Sequence, residues 1–234
     1  VETYFRFMPD LPEDVIFGID QEFIEGVQEP KFIKGGDWMS FVGLQRTGTI
    51  WVATGTDETM KGQASKDRAW KFFNLGQALK SNTWYRIRCY CDFNSRSFKK
   101  LEVEGDGFKK TIPLSEYKLD YPNYMPFDRG ALSYYVHAIR SRSLMKNGEG
   151  GKPCVYFDDV RGGIEREGKA TTLFESSFEN QRTVENQPLT SPTIKIDNYQ
   201  QGLFYLERPE SRFRIEAAPF AHGGAYVGVA DASL

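Results

Sequence analysis

Residues Thr83–Phe93 read Thr-Trp-Tyr-Arg-Ile-Arg-Cys-Tyr-Cys-Asp-Phe, with apolar and polar side chains in strict alternation. Successive side chains of a strand point to opposite faces. Tyr85, Ile87, Cys89, Cys91 and Phe93 therefore share one face, and Trp84, Arg86, Arg88, Tyr90 and Asp92 share the other. A helix would mix the two sets, so the stretch predicts a strand with one side on a core. Asn94-Ser95-Arg96-Ser97 supplies turn chemistry, and the alternation resumes from Phe98, predicting the returning strand.

The same period recurs along the chain. In Glu2–Met8, Phe5 and Phe7 share a face, and Tyr4 and Arg6 share the other. Val15, Phe17, Ile19 and Phe23 alternate with Gly18, Asp20 and Glu22. Asp37–Gln45 and Thr49–Gly55 flank Arg46-Thr47-Gly48, a predicted hairpin turn. Further strands are expected at 133–141, 154–160, 171–178, 193–196, 202–207, 211–217 and 224–231. Asp67–Leu79 suits either a strand or a short helical turn, and 55–66 and 141–152 read as loops. Many short strands with Gly-rich turns and almost no helix predict an all-β sandwich or barrel.

The chain has 234 residues, and all-β sandwiches of this length form single domains. Its 30 basic and 32 acidic side chains give a net charge of −2 with no long block of one sign, which argues against a general nucleic-acid partner. No apolar run approaches the roughly 20 residues of a membrane-spanning helix. The chain opens on Val1 rather than Met, which reads as a processed or excised product and says nothing of compartment. Three cysteines without C-x-x-C spacing predict buried thiols. Strand geometry disfavours a disulfide between Cys89 and Cys91.

Residues 82–107, with their Trp-Tyr opening, alternating strand, Asp-Phe ending, turn and Gly-terminated return, resemble the central hairpin of concanavalin A-like (laminin-G-like) jelly rolls. Cys154–Arg161 (CVYFDDVR) resembles the closing strand of such domains and of jelly-roll carbohydrate-binding modules. Thr171–Asn180 (TTLFESSFEN) resembles their opening strand, and the 221–233 stretch the next one. The resemblance implies a two-sheet antiparallel jelly roll, with the opening strands placed after the closing one. Two explanations fit: a circular permutant, or a piece cut from a tandem array. Both place Asp231–Leu234 beside Val1–Thr3. The alternative is a jelly roll over 1–164 and the start of a second β domain over 165–234.

Parity also proposes a binding surface. If Phe5, Phe7, Ile87, Cys89, Val136 and Ala138 face the core, then Tyr4, Arg6, Arg86, Arg88, Tyr90, Tyr135 and His137 face out. On neighbouring strands these would line a groove for an acidic polysaccharide, with rings stacking on sugars and guanidinium groups pairing with carboxylate or sulfate. A merely solvated face is the competing expectation. Trp51 and Trp70 are the indoles best placed as sugar platforms, with core packing as the alternative.

The function expected from the resemblance is a non-catalytic carbohydrate-binding or adhesion module of a secreted or surface protein. The runner-up is an enzyme on that scaffold. A polysaccharide lyase would use His137 and Tyr135 as base or acid and Arg86 and Arg88 as carboxylate clamps, although the Arg-x-Glu-x-Arg and Gln-x-His motifs of such lyases are missing. A glycoside hydrolase would use Asp20, Glu22 and Glu25, whose spacing resembles a Glu-x-Asp-x-x-Glu strand with the first two residue types exchanged. A structural or protein-interaction sandwich is the third reading. By resemblance, Asp158, Asp159, Glu175 and Glu179 would hold a structural Ca²⁺, which takes six to eight oxygen ligands. Two acidic residues capping a strand end are the alternative.

Overall fold

The computed structural model describes residues 1–24, 36–56, 69–124, 131–140, 150–179 and 212–232. Among them the chain forms strands and turns and no helix. The strands are β1 (Glu2–Phe7), β2 (Val15–Ile24), β3 (Gly36–Met39), β4 (Val42–Leu44), β5 (Thr49–Thr54), β6 (Ala69–Asn74), β7 (Tyr85–Asp92) and β8 (Ser97–Gly105). They continue as β9 (Phe108–Pro113), β10 (Asp120–Tyr124), β11 (Ala131–Arg140), β12 (Cys154–Arg166), β13 (Lys169–Ser176), β14 (Arg212–Ala217) and β15 (Tyr226–Asp231).

These strands make two antiparallel sheets. The first runs β14-β15-β12-β1-β7-β8-β9, with β13 also on β12; the second runs β10-β3-β2-β4-β5-β6, with β11 also on β2. The alternation along each strand dictates which face meets the other sheet. Phe5 and Phe7 of β1, Tyr85, Ile87 and Cys89 of β7, Phe157 of β12 and Phe17 and Ile19 of β2 are all buried. Phe5 touches Phe17 across the interface, with ring centroids 5.1 Å apart. The molecule is a β-sandwich with one main core, and the predicted inward residues are the ones that fill it.

Several expectations meet the structure directly. The 45–48 turn joins β4 to β5, and Gly48 takes the left-handed conformation (φ 89°) that the turn needs. Trp70, Phe72 and Phe73 lie on strand β6 rather than on a helical turn. The strands expected at 193–196 and 202–207 lie outside the described residues, as does most of the two long loops. Strands β13, β14 and β15 extend the first sheet, and Ala230 and Ala232 enter the main core. The described strands after residue 165 thus share the first sheet with β1, β7 and β12.

The placement of the chain ends is a correction. Asp231 pairs with Cys154, whereas Glu2 pairs with Arg161, seven residues further along β12. At about 3.3 Å per residue the two points lie roughly 20 Å apart. Strands β1 and β15 run parallel on either side of β12, so they are not the two arms of a hairpin. Leu234 lies outside the described residues.

Candidate functional site

The predicted groove divides between two opposite surfaces. Tyr4 and Arg6 of β1 and Arg86, Arg88 and Tyr90 of β7 lie on the outer face of the first sheet, where Tyr4 registers with Arg86. Tyr135 and His137 of β11 lie on the outer face of the second sheet, opposite Asp20 and Gly18 of β2. Strand parity determines which side a residue faces but not which sheet it joins, and the whole core separates the two groups.

On the first sheet the arginines are already neutralised. Glu2, with a side chain only 15% exposed, bonds Arg88 and lies 3.9 Å from Arg86 and 3.7 Å from Arg161. Arg86 also pairs with Glu104, and Arg88 with the Tyr90 hydroxyl at 3.0 Å. Lys100 bonds Glu102 at 2.7 Å. These pairs, across and along the strands, satisfy one another, so the face presents no row of open guanidinium clamps.

Tyr4 and Arg6 are covered as well. The connection from β14 to β15 folds over this face: His222 stacks on Tyr4 (3.7 Å, 20°), Phe220 lies 4.5 Å under the Arg6 guanidinium, and Trp84 Nε1 donates to the Phe220 carbonyl at 2.8 Å. Trp84 and Phe220 close a small second core on Tyr156, Val227 and Val229.

The four carboxylates expected to bind calcium lie around one corner beneath this connection. Asp158 is fully buried, and its Oδ2 accepts from the backbone N–H groups of His222 (2.9 Å) and Gly223 (3.1 Å). Burial raises its carboxyl pKa above the usual aspartate value, against the pull of those N–H groups. Asp159 sits in a bulge with φ 46° and holds His222 Nδ1 at 2.8 Å. Glu179 Oε1 accepts from the backbone of Ala225 (2.8 Å) and Tyr226 (2.9 Å). Glu175 faces Arg161 at 3.7 Å. Asp159, Arg161, Glu175, Ser177 and Glu179 line an open cleft of ≈ 350 Å³. In this arrangement Asp158 and Glu179 anchor a loop, and the described residues contain no group of three or more ligands in metal-binding geometry.

The outer face of the second sheet is different in kind. Phe72, 57% exposed, meets Trp51 at 4.7 Å; Trp51 meets Trp70 at 5.7 Å; Trp70 meets Phe41 at 5.6 Å; and Phe41 stacks on His137 at 4.2 Å. The row crosses β6 and β5 and reaches β11 by way of Phe41. Trp51 Nε1 donates to Gln45 Oε1 at 2.8 Å, which fixes the indole edge. Two glycines bare the backbone beneath. A Cβ at Gly18 would lie 2.2 Å from the Val42 carbonyl oxygen, and one at Gly43 would lie 2.3 Å from Ile16 Cγ2. His137 lies opposite Gly18 and places Nε2 3.2 Å from the Val42 carbonyl. A carbonyl can only accept, so Nε2 carries the proton there.

Beside the row stand the β2 carboxylates. Asp20 and Glu22 lie opposite Tyr135 and Ser133 of β11 on this same outer face. Tyr135 is 38% exposed, and burial together with the Glu22 charge pushes its phenol well above the ordinary tyrosine value. The phenol therefore stays protonated and can donate a hydrogen bond. Glu25 lies outside the described residues. Of the predicted residues, this face gathers Trp51, Trp70, Tyr135, His137, Asp20 and Glu22, and it leaves the other sheet's arginines behind. Sequence reasoning missed Phe72, Phe41 and Gln45. Phe72 was within reach, because it shares strand parity with Trp70; Phe41 sits in an irregular step between β3 and β4 that no period marks.

Compared with protein-family models, with curated proteins and with solved structures, the chain matches none.

Proposed function

We propose that the outer face of the second sheet binds a polysaccharide chain, and that the domain serves as a carbohydrate-binding module on a jelly-roll-type sandwich. The observation that carries this is the aromatic row Phe72–Trp51–Trp70–Phe41–His137, part exposed and part buttressed from below. Aromatic rings on a sheet outer face are costly to leave in water without a partner, and their flat apolar surfaces match the C–H faces of pyranose rings. The Tyr135 hydroxyl adds a polar edge that orients a hydroxylated ligand.

The charges favour a neutral glycan over the acidic one expected from the sequence. Glu22 would repel uronates and sulfates, and the arginines that would have received them lie on the far sheet paired with Glu2 and Glu104. The test is affinity electrophoresis against neutral glucans, xylans and galactans beside alginate. Retardation by a neutral polymer that Trp51→Ala and Phe72→Ala abolish, and Arg88→Ala leaves intact, supports the proposal. Retardation by alginate alone refutes it.

A glycoside hydrolase is the second reading, favoured by one observation: Glu22 lies half-buried on the same face as the aromatic row, with the buried Asp20 two residues before it and Tyr135 beside them. Reducing-sugar release lost in Glu22→Gln with binding retained would establish it. The lyase reading loses its carboxylate clamps here, since Arg86 and Arg88 are on the opposite surface from Tyr135 and His137.

A further inference from the structure

Between the sheets, away from the aromatic row, Cys89 and Cys91 bring their sulfur atoms to 3.8 Å. Residues two apart on a strand stand about 6.6 Å apart at the backbone, near the long limit for a disulfide. Here the pairing of β7 with β8 slips between Tyr90 and Cys91, a local irregularity at the very residues concerned. Both side chains turn toward each other from one face, so bond formation requires the sulfurs to close by less than 2 Å (from 3.8 Å to about 2.05 Å).

The two thiols are not equivalent. Cys89 is buried in the main core, whereas Cys91 is half-buried at its margin. Gln21 Nε2 reaches across from β2 to Cys91 Sγ at 3.2 Å. Burial pushes the Cys91 pKa up, but the contacts from Cys89 and Gln21 and the nearby N-terminal ammonium outweigh it and the net shift is downward, while the Cys91 contact and burial raise that of Cys89. Donors converging on one sulfur stabilise its thiolate, which is the nucleophilic form.

We infer that Cys91 and Cys89 form a peroxide-sensitive dithiol, with Cys91 as the attacking sulfur and Cys89 as the resolving one. The Cys91 thiolate attacks one oxygen of a hydroperoxide; the O–O bond breaks, a sulfenic acid forms, and the departing hydroxide takes up a proton as water. Cys89 then attacks Cys91 Sγ, the S–S bond forms, and the sulfenic oxygen leaves as water with the Cys89 proton. Two thiols are oxidised, one peroxide is reduced, and two waters are released. Nothing in this step requires the glycan site.

The experiment treats the folded chain with hydrogen peroxide at low excess and follows intact mass, thiol count after denaturation, and peptide maps. The expected result is loss of two hydrogens, a fall from three titratable thiols to one, and a link confined to Cys89–Cys91 that dithiothreitol reverses. In Cys89→Ser, a sulfenic acid at Cys91 should accumulate and be trapped by dimedone. In Gln21→Leu the oxidation should slow roughly tenfold, the effect of losing one hydrogen bond to a charged group. Unfolding midpoints within the wild-type range show that the variants are folded. Oxidation of Cys154 first, three thiols left intact, or sulfinic acid at Cys91 in the unmutated chain would each overturn the inference.

Discussion

Replacing Asp14 by Ala should cost several times more stability than replacing Glu13 by Ala, although the two residues are adjacent and each holds an arginine. Asp14 receives Arg140 through two bonds of 2.7 and 3.0 Å, with side chains 1% and 12% exposed. Its removal leaves a guanidinium largely out of water with no carboxylate, a loss of about 3–5 kcal/mol. Glu13 meets Arg46 through one contact of 3.1 Å, with side chains 44% and 36% exposed. Solvent already screens that pair, so its loss costs about 0–1 kcal/mol. With a urea slope of about 3 kcal/mol/M, the midpoint should fall by about 1–1.7 M for Asp14→Ala and by under about 0.3 M for Glu13→Ala. Replacing both buried partners, as Asp14→Leu with Arg140→Met, should recover most of the loss, because no charge is then stranded. Equal midpoint shifts for the two single variants, or an Asp14→Ala loss below about 1 kcal/mol, would refute the assignment of cost to burial.

Gly162→Ala places a Cβ 2.3 Å from the Tyr134 ring; it should destabilise by about 1–3 kcal/mol, and in a Tyr134→Ala background the same change should cost far less, as a double-mutant cycle in thermal unfolding will read. Gln45→Ala frees the Trp51 indole edge and should weaken glycan binding roughly threefold, the worth of a modest hydrogen bond, less than Trp51→Ala does; unchanged binding in Gln45→Ala would refute the orienting role of that bond. Carboxyl-carbon NMR should find Asp158 titrating above and Asp92 below the ordinary range, the first because of burial and the second because of the Ser95 N–H and Lys99. The signs oppose: the Asp158 contribution to stability falls as pH rises from about 4 through its raised folded value, whereas that of Asp92 is full above about 4 and lost as pH falls through its lowered one. Asp158→Asn should therefore flatten a decline in stability just above pH 4, and an unchanged profile would count against the buried carboxyl.

The legible part of the site was its parity. Alternation along 83–93 and 2–8 determined that Arg86, Arg88, Tyr4 and Arg6 point away from the core, and the structure places them so. The same rule brought Tyr135 and His137 outward. What parity cannot carry is the identity of the neighbour, because a strand's own side chains do not encode which edge it pairs with. Glu2, read only as part of a strand start, proved to be the partner that neutralises Arg88, since their pairing joins residues 86 positions apart.

By itself, the sequence determined the all-β class, the inward and outward residues and several turns, because these follow from a two-residue period and local backbone preference. Tertiary structure decided which outward residues share a surface. It separated the arginines from Tyr135 and His137, folded the 218–225 connection over Tyr4, set Asp158 beneath it, and closed Cys89 on Cys91. All but the last rest on long-range contacts, selected by the burial of the whole core rather than by any local run of residues; the last joins residues two apart where the β7–β8 pairing slips.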